Sequence, residues 1–203
     1  MSDSPSVSHR VIEIVASDGV GLVGDLAIPS DPVAATIICH PHPQYGGNRF
    51  NNVVTALFEA LPSAGIAALR FDFRSPFTGG AGEHLDALGA LNALATAVPG
   101  VPLVAIGYSF GAMIALGLRD DRVSSLVLVA ATLAMAPDVP APTVRTLLLT
   151  PAHDQLSPPA TAGPIVAGWT SAPVDQRTIE MADHSLVGHT AAVADAVTAW
   201  LRT

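Results

Sequence analysis

The chain has 203 residues, half of them hydrophobic and 13% charged, with a formal net charge of −8. That length allows one domain, residues 1–203, with a large core, and the acidic balance argues against a nucleic-acid or anionic-membrane partner. A single cysteine, Cys39, excludes an internal disulfide and fits a reducing cytoplasm, and the polar stretch from Met1 to Arg10 lacks the apolar region of a signal peptide.

In chain order, Val11 to Val15 alternates and reads as a strand. Asp18-Gly19 turns it, and Val20 to Ile28 returns as the second strand of a hairpin. Ala34 to Cys39 is a short apolar run, predicted as a buried third strand. Asn52 to Ala64 has helical spacing and stops near Gly65. Ile66 to Phe73 is a fourth strand, and Glu83 to Val98 a helix ended by Pro99-Gly100. Leu103 to Ile106 is a fifth strand, which runs through Gly107-Tyr108-Ser109-Phe110-Gly111 into a small-residue helix, Ala112 to Leu118. Ser124 to Ala131, Val144 to Leu149 and Val174 to Met181 are the sixth, seventh and eighth strands. Pro137 to Pro142 reads as a loop, and Leu186 to Leu201 as a closing amphipathic helix.

The uncharged stretch Ala87 to Leu118 is long enough to suggest a membrane span. Pro99, Gly100 and Pro102 interrupt it, so it reads as helix end, turn, buried strand and next helix. Strands and helices alternate through most of the chain. That order predicts an α/β fold: an eight-stranded, mostly parallel sheet with helices on both faces.

Open parallel sheets bind ligands beyond the carboxyl ends of their strands. The polar residues at those positions are therefore the candidates. His40-Pro41-His42-Pro43-Gln44-Tyr45-Gly46-Gly47 follows the third strand, Ser109 the fifth, His153 and Asp154 the seventh, and Asp183 and His184 the eighth. Gly107-x-Ser109-x-Gly111 between strand and helix is a nucleophile elbow, a sharp turn that lifts a serine hydroxyl clear of the sheet. A neutral serine needs a base, and His184 is the candidate, because an imidazole can both accept and return a proton. His189 competes but falls within the predicted last helix. Asp154 is the candidate for the acid that orients the imidazole. Asp183 is the neighbour of His184 and cannot easily turn back to its ring, while Asp138, after the sixth strand, remains an alternative.

The order Ser, Asp, His and these motifs resemble the α/β-hydrolases, in particular the small, lidless, dienelactone-hydrolase-like kind, over nearly the whole chain. His-Pro-His-Pro-x-x-Gly-Gly-Asn (His40 to Asn48) is similar to a segment found in compact bacterial hydrolases of poorly defined substrate, and Arg70-Phe71-Asp72-Phe73-Arg74 resembles their fourth strand end. The chain departs from the family at Ser75 and at Pro151-Ala152-His153, where a glycine is usual. The resemblance implies a serine hydrolase that cleaves small carboxylic esters through an acyl-serine, with no cofactor and no metal. Thioester, lactone or peptide cleavage, or a cofactor-free perhydrolase, would use the same residues, and a silent binding domain is the alternative of another class.

An oxyanion hole needs two N–H donors. The amide of Phe110, just after the nucleophile, is one. Aligning His40-Pro41 with the family's His-Gly makes the His42 amide the other, with Gln44 as second choice; Pro41 and Pro43 have no N–H. His40 and His42 also have a spacing that allows metal binding, although bracing of the loop by His40 is the preferred reading. Cys39 is predicted to be a buried strand residue. Many relatives insert a helical cap between the sixth and seventh strands. Here only Thr132 to Thr143 joins them, so no cap domain is expected, and with it short acyl groups reached from an open cleft. A groove around Tyr45 and Phe77 would alter that.

Overall fold

The computed structural model describes residues 6–136 and 138–203; Met1–Pro5 of the polar N-terminus and Pro137 of the proline-rich loop lie outside them. Eight strands form one sheet in the order β1-β2-β4-β3-β5-β6-β7-β8. β1 (Val7–Val15) and β2 (Gly21–Pro29) make the predicted hairpin, and β2 also runs antiparallel to β4 (Ile66–Phe71). From β4 onward the pairing is parallel, through β3 (Ala34–Cys39), β5 (Leu103–Tyr108), β6 (Val123–Val129), β7 (Arg145–His153) and β8 (Val174–Asp183).

Both faces of the sheet are covered, as its continuous apolar runs require. On one face Ile37, Leu69, Ala105 and Leu128 pack with α2 (Ala81–Ala97), α3 (Phe110–Gly117) and α4 (Pro159–Ala167). On the other, Ile38, Ala68, Ile106 and Val127 pack with α1 (Asn52–Ala60) and α5 (Thr190–Leu201). Adjacent residues such as Ile37 and Ile38 thus serve opposite layers, the period-two consequence of a pleated strand.

The structure extends or corrects several elements. β1 begins at Val7 rather than Val11, because an edge strand with one partner tolerates His9 and Arg10. The first helix gives way at Leu61 to a tight turn, Leu61–Ala64, and the last begins at Thr190, leaving His189 as its N-cap. β7 runs four residues beyond Leu149 and includes Pro151. β6 pairs with β7 only as far as Leu149, so the missing proline N–H falls where that neighbour has ended. α4 has no counterpart in the sequence reading. Pro159 is at home in its first turn, but Gly163 and Pro164 obscure the pattern that buries Ala162 and Val166. Among the described residues, no helix is long and apolar enough to cross a membrane. Among the described residues between β6 and β7, a short turn, Leu133–Met135, is the one regular element, and they form no cap domain.

Candidate active site

Ser109 stands between β5 and α3 with φ 56° and ψ −117°, a conformation that an L-residue adopts at a cost. Its amide donates to Val129 O at 2.9 Å, which fixes the turn to β6. A Cβ on Gly107 would overlap the Gly111 carbonyl, and one on Gly111 would overlap Cys39 O. The two glycines therefore let strand, turn and helix pass in contact.

Three predicted residues from three loops meet here. Ser109 Oγ lies 2.9 Å from His184 Nε2, and His184 Nδ1 lies 2.9 and 3.0 Å from the two carboxylate oxygens of Asp154. Asp154 Oδ1 also accepts the amides of Leu156 (2.8 Å) and Ser157 (2.9 Å). Burial pushes the Asp154 carboxyl upward, but the bonds from His184, Ser157 and Leu156 outweigh it and hold the group below the usual carboxylate range. The ionised acid thus fixes Nδ1 as the protonated nitrogen and leaves Nε2 free to accept the Ser109 proton.

The competing acids are elsewhere. Asp138 is exposed in the loop after β6 and makes no hydrogen bond to His184. Asp183 turns to its own loop, where Ser185 Oγ and the Ser185 amide donate to it at 2.6 and 3.0 Å. Cys39 is fully buried, and desolvation pushes its thiol well up, so it is poorly suited to nucleophilic work.

The loop after β3 is braced by His40, as anticipated. His40 is buried, its Nδ1–H donates to Pro41 O at 2.6 Å, and its Nε2 accepts the Phe73 amide at 3.0 Å. With both nitrogens engaged, His40 has no lone pair to offer a metal ion. Among the described residues no cluster of three His, Cys, Asp or Glu side chains could hold a metal. The Gln44 amide donates to His42 Nδ1 at 3.2 Å, whereas the amides of His42 and Phe110 have no acceptor among the described residues. Two free N–H groups beside a serine hydroxyl can hold a carbonyl oxygen that becomes negative.

Other contributions were not anticipated. Tyr108 OH donates to His184 O at 2.8 Å, and its ring stacks on the imidazole with centroids 6.0 Å apart. Ser157 Oγ accepts the Ala134 amide at 3.1 Å, tying the loop of Asp154 to the turn after β6. The Arg70 to Arg74 segment forms a scaffold rather than a site. Arg70 pairs with Asp25 at 2.9 Å, Asp72 receives Arg49 of the β3 loop, and Arg74 bridges Asp86 and Asp18 at 2.7 and 2.6 Å.

Two clefts flank Ser109. One, of about 390 Å³, is lined by His184 with Asn51, Gln155, Asp183 and Ser185 and also by Tyr108, Tyr45 and Leu156, the last two shared with the other cleft. The other, of about 500 Å³, is lined by Phe110, Met113, Met135, Ala136 and Leu156 and does not include His184.

No protein-family model matches the chain. A segment of 101 residues is 38% identical to an uncharacterized protein of Rickettsia prowazekii, and the match spans 46% of this chain and 42% of that relative. Among solved structures, an α/β serine hydrolase homologue from Coxiella burnetii superposes with a TM-score of 0.86 at 26% identity, covering 95% of this chain and 97% of the other. A lidless α/β serine hydrolase from Xanthomonas campestris gives 0.86 at 22% identity, over 96% and 94% of the two chains. A dienelactone hydrolase from Anabaena variabilis gives 0.84 at 20% identity, over 96% and 97%. Sheet order, elbow and these likenesses together show that the chain has the α/β-hydrolase fold, in the form without a lid, and that it is similar to the α/β serine hydrolase homologue from Coxiella burnetii.

Proposed function

We propose that this chain is a serine hydrolase of small carboxylic esters, with Ser109 as nucleophile, His184 as general base and acid, and Asp154 as orienting acid. The observation that carries this reading is the unbroken line of hydrogen bonds from Asp154 through His184 to the hydroxyl of a strained elbow serine. His184 Nε2 takes the Ser109 proton as Oγ attacks the ester carbonyl. The His42 and Phe110 amides hold the oxygen that becomes negative. The C–O bond to the alcohol then breaks, and His184 returns the proton to the departing oxygen. Water, deprotonated by the same imidazole, attacks the acyl-serine, and the carboxylic acid leaves with Ser109 restored. Asp154 stays ionised throughout and stabilises the imidazolium. None of these steps uses a cofactor. The acidic surface and the single, buried Cys39 support a cytoplasmic role toward small molecules rather than nucleic acid.

A fluorophosphonate probe tests the reading. It is expected to modify Ser109 in the wild type, and Ser109→Ala is expected to lower ester turnover about 10⁴-fold or more. Unchanged turnover in that variant, with no probe on Ser109, would overturn it.

A further inference from the structure

We infer that the two clefts divide the substrate, the one lined by Phe110, Met113 and Met135 taking an acyl chain of about six to eight carbons and the one lined by His184 taking a small alcohol. The inference rests on the hydrolase reading and adds the substrate class to it.

The assignment follows from where the proton must go. The tetrahedral carbon formed on Ser109 has four neighbours: Oγ, the oxyanion, the departing oxygen and the acyl carbon. The oxyanion faces the amides of His42 and Phe110. The departing oxygen must receive a proton from His184 Nε2, so it lies on the imidazole side. His184 lines only the cleft that holds Asn51, Gln155, Asp183 and Ser185, and that cleft therefore receives the alcohol. The acyl carbon points the other way, toward Phe110, Met113, Met135, Ala136 and Leu156.

The chemistry of each wall agrees with its occupant. On the His184 side Asn51, Gln155, Asp183 and Ser185 alternate with Pro41, Tyr45, Tyr108 and Leu156, a mixed wall that admits an alcohol without demanding a long apolar one. The opposite wall is built from thioether, phenyl and aliphatic side chains drawn from α3, the turn after β6 and the loop after β7. Tyr45, Met135 and Leu156 stand 88%, 70% and 49% exposed at its mouth, where a bound chain would cover them. About 500 Å³ lies within the range of small-ligand sites and accommodates more than an acetyl group. The expectation of short acyl groups assumed that a wall needs a cap domain. Here the short turn Leu133–Met135 supplies one, pinned by the bond from Ala134 to Ser157.

Methyl octanoate and heptyl acetate are isomers with similar leaving-group chemistry and opposite placement of the chain. With purified full-length protein, kcat/KM for methyl octanoate is expected to exceed that for heptyl acetate by about tenfold or more, because burial of each methylene raises affinity up to roughly fourfold. Ala136→Trp fills the apolar cleft from an exposed loop and is expected to lower the methyl octanoate to methyl acetate ratio about tenfold, with folding checked by its melting curve. Equal or reversed preference between the isomers in a protein whose Ser109 reacts with fluorophosphonate would overturn the division of clefts and leave the hydrolase reading standing. The same holds if Ala136→Trp slows all chain lengths alike. Failure to cleave any ester, with Ser109 unlabelled, would overturn both.

Discussion

Two loops reach Ser109 from opposite sides of β5, and they are held by opposite electrical states. The β3 loop, His40 to Gly47, is fixed by a buried imidazole that has to be neutral: Nε2 accepts the Phe73 amide, and burial lowers its proton affinity against the raising effects of Pro41 O and Asp72. The β7 loop is fixed by a buried carboxylate that has to be charged, since Asp154 accepts Leu156, Ser157 and His184. Each arrangement suits what its loop presents. A loop offering N–H groups to a developing anion is best held without a fixed negative charge of its own. A loop facing an imidazole that turns cationic needs one.

Removing the charge from the β7 loop is the most severe way to break this comparison. Asp154→Asn keeps the shape but favours the wrong imidazole tautomer, and kcat is expected to fall about 10⁴-fold, as in the protease that established the effect. Asp138→Asn, in an exposed position, is the control and is expected to stay near wild type. A crippled Asp138→Asn would transfer the acid role to the loop after β6. Next in size is a steric change in the neutral loop. A Cβ on Gly47 would overlap the Pro41 carbonyl, so Gly47→Ala has to displace the segment that carries the His42 amide. Ester turnover is expected to drop about 10²-fold, the order seen when one oxyanion donor is lost. Wild-type kinetics in Gly47→Ala would show that the loop yields without moving the donor.

The two loops also differ in how much of them can be read from sequence. The elbow is local in sequence: Gly107, Ser109 and Gly111 lie within five residues, Gly107 pressed against the Gly111 carbonyl of the same turn and Gly111 against the end of β3 at Cys39. Ser109 and Asp154 are legible because each follows a strand with an apolar signature, and His184 because it follows the last, more polar strand, just before the closing helix. The bracing by His40 was also foreseeable, since two prolines restrict the partners that remain. The bond from Tyr108 OH to His184 O joins residues 76 apart and leaves no periodic trace. The apolar cleft escapes for the same reason, being assembled from Met113, Met135 and Leu156 in three separate segments. One missed signal was present: Asp154-Gln155-Leu156-Ser157 is an Asx-turn pattern, in which an aspartate caps its own following amides. That pattern favours Asp154 over Asp138 without any structure. α4 stayed hidden because Pro159, Gly163 and Pro164 carry turn signals that tertiary packing overrides.

The smallest effect, and the sharpest test of the electrical contrast, is acid stability. His40 has its folded value lowered from the ordinary 6.5, mainly by burial. In the unfolded chain it takes up a proton as pH falls through that ordinary value, while the folded protein still resists. Unfolding therefore binds protons, and stability drops with pH from there until folded His40 itself protonates. Asp154 has the opposite arrangement and a lower window. Its folded value is depressed, so its contribution is complete above the ordinary carboxylate value and is lost only as pH falls through the folded one. Acid should thus loosen the β3 loop first. Protonated Nε2 would place an N–H against the Phe73 N–H, where an acceptor is required. Substituting His40→Gln supplies an amide that does not titrate. Melting temperatures between pH 7 and 5 are expected to fall more steeply in the wild type than in His40→Gln, by a few degrees for a chain of this size. The fluorophosphonate reaction rate should show the same divergence if the His42 amide of this loop is the oxyanion donor proposed above. Parallel melting curves across that interval would mean that the charge state of His40 does not hold the loop, and the contrast between the two loops would rest on Asp154 alone.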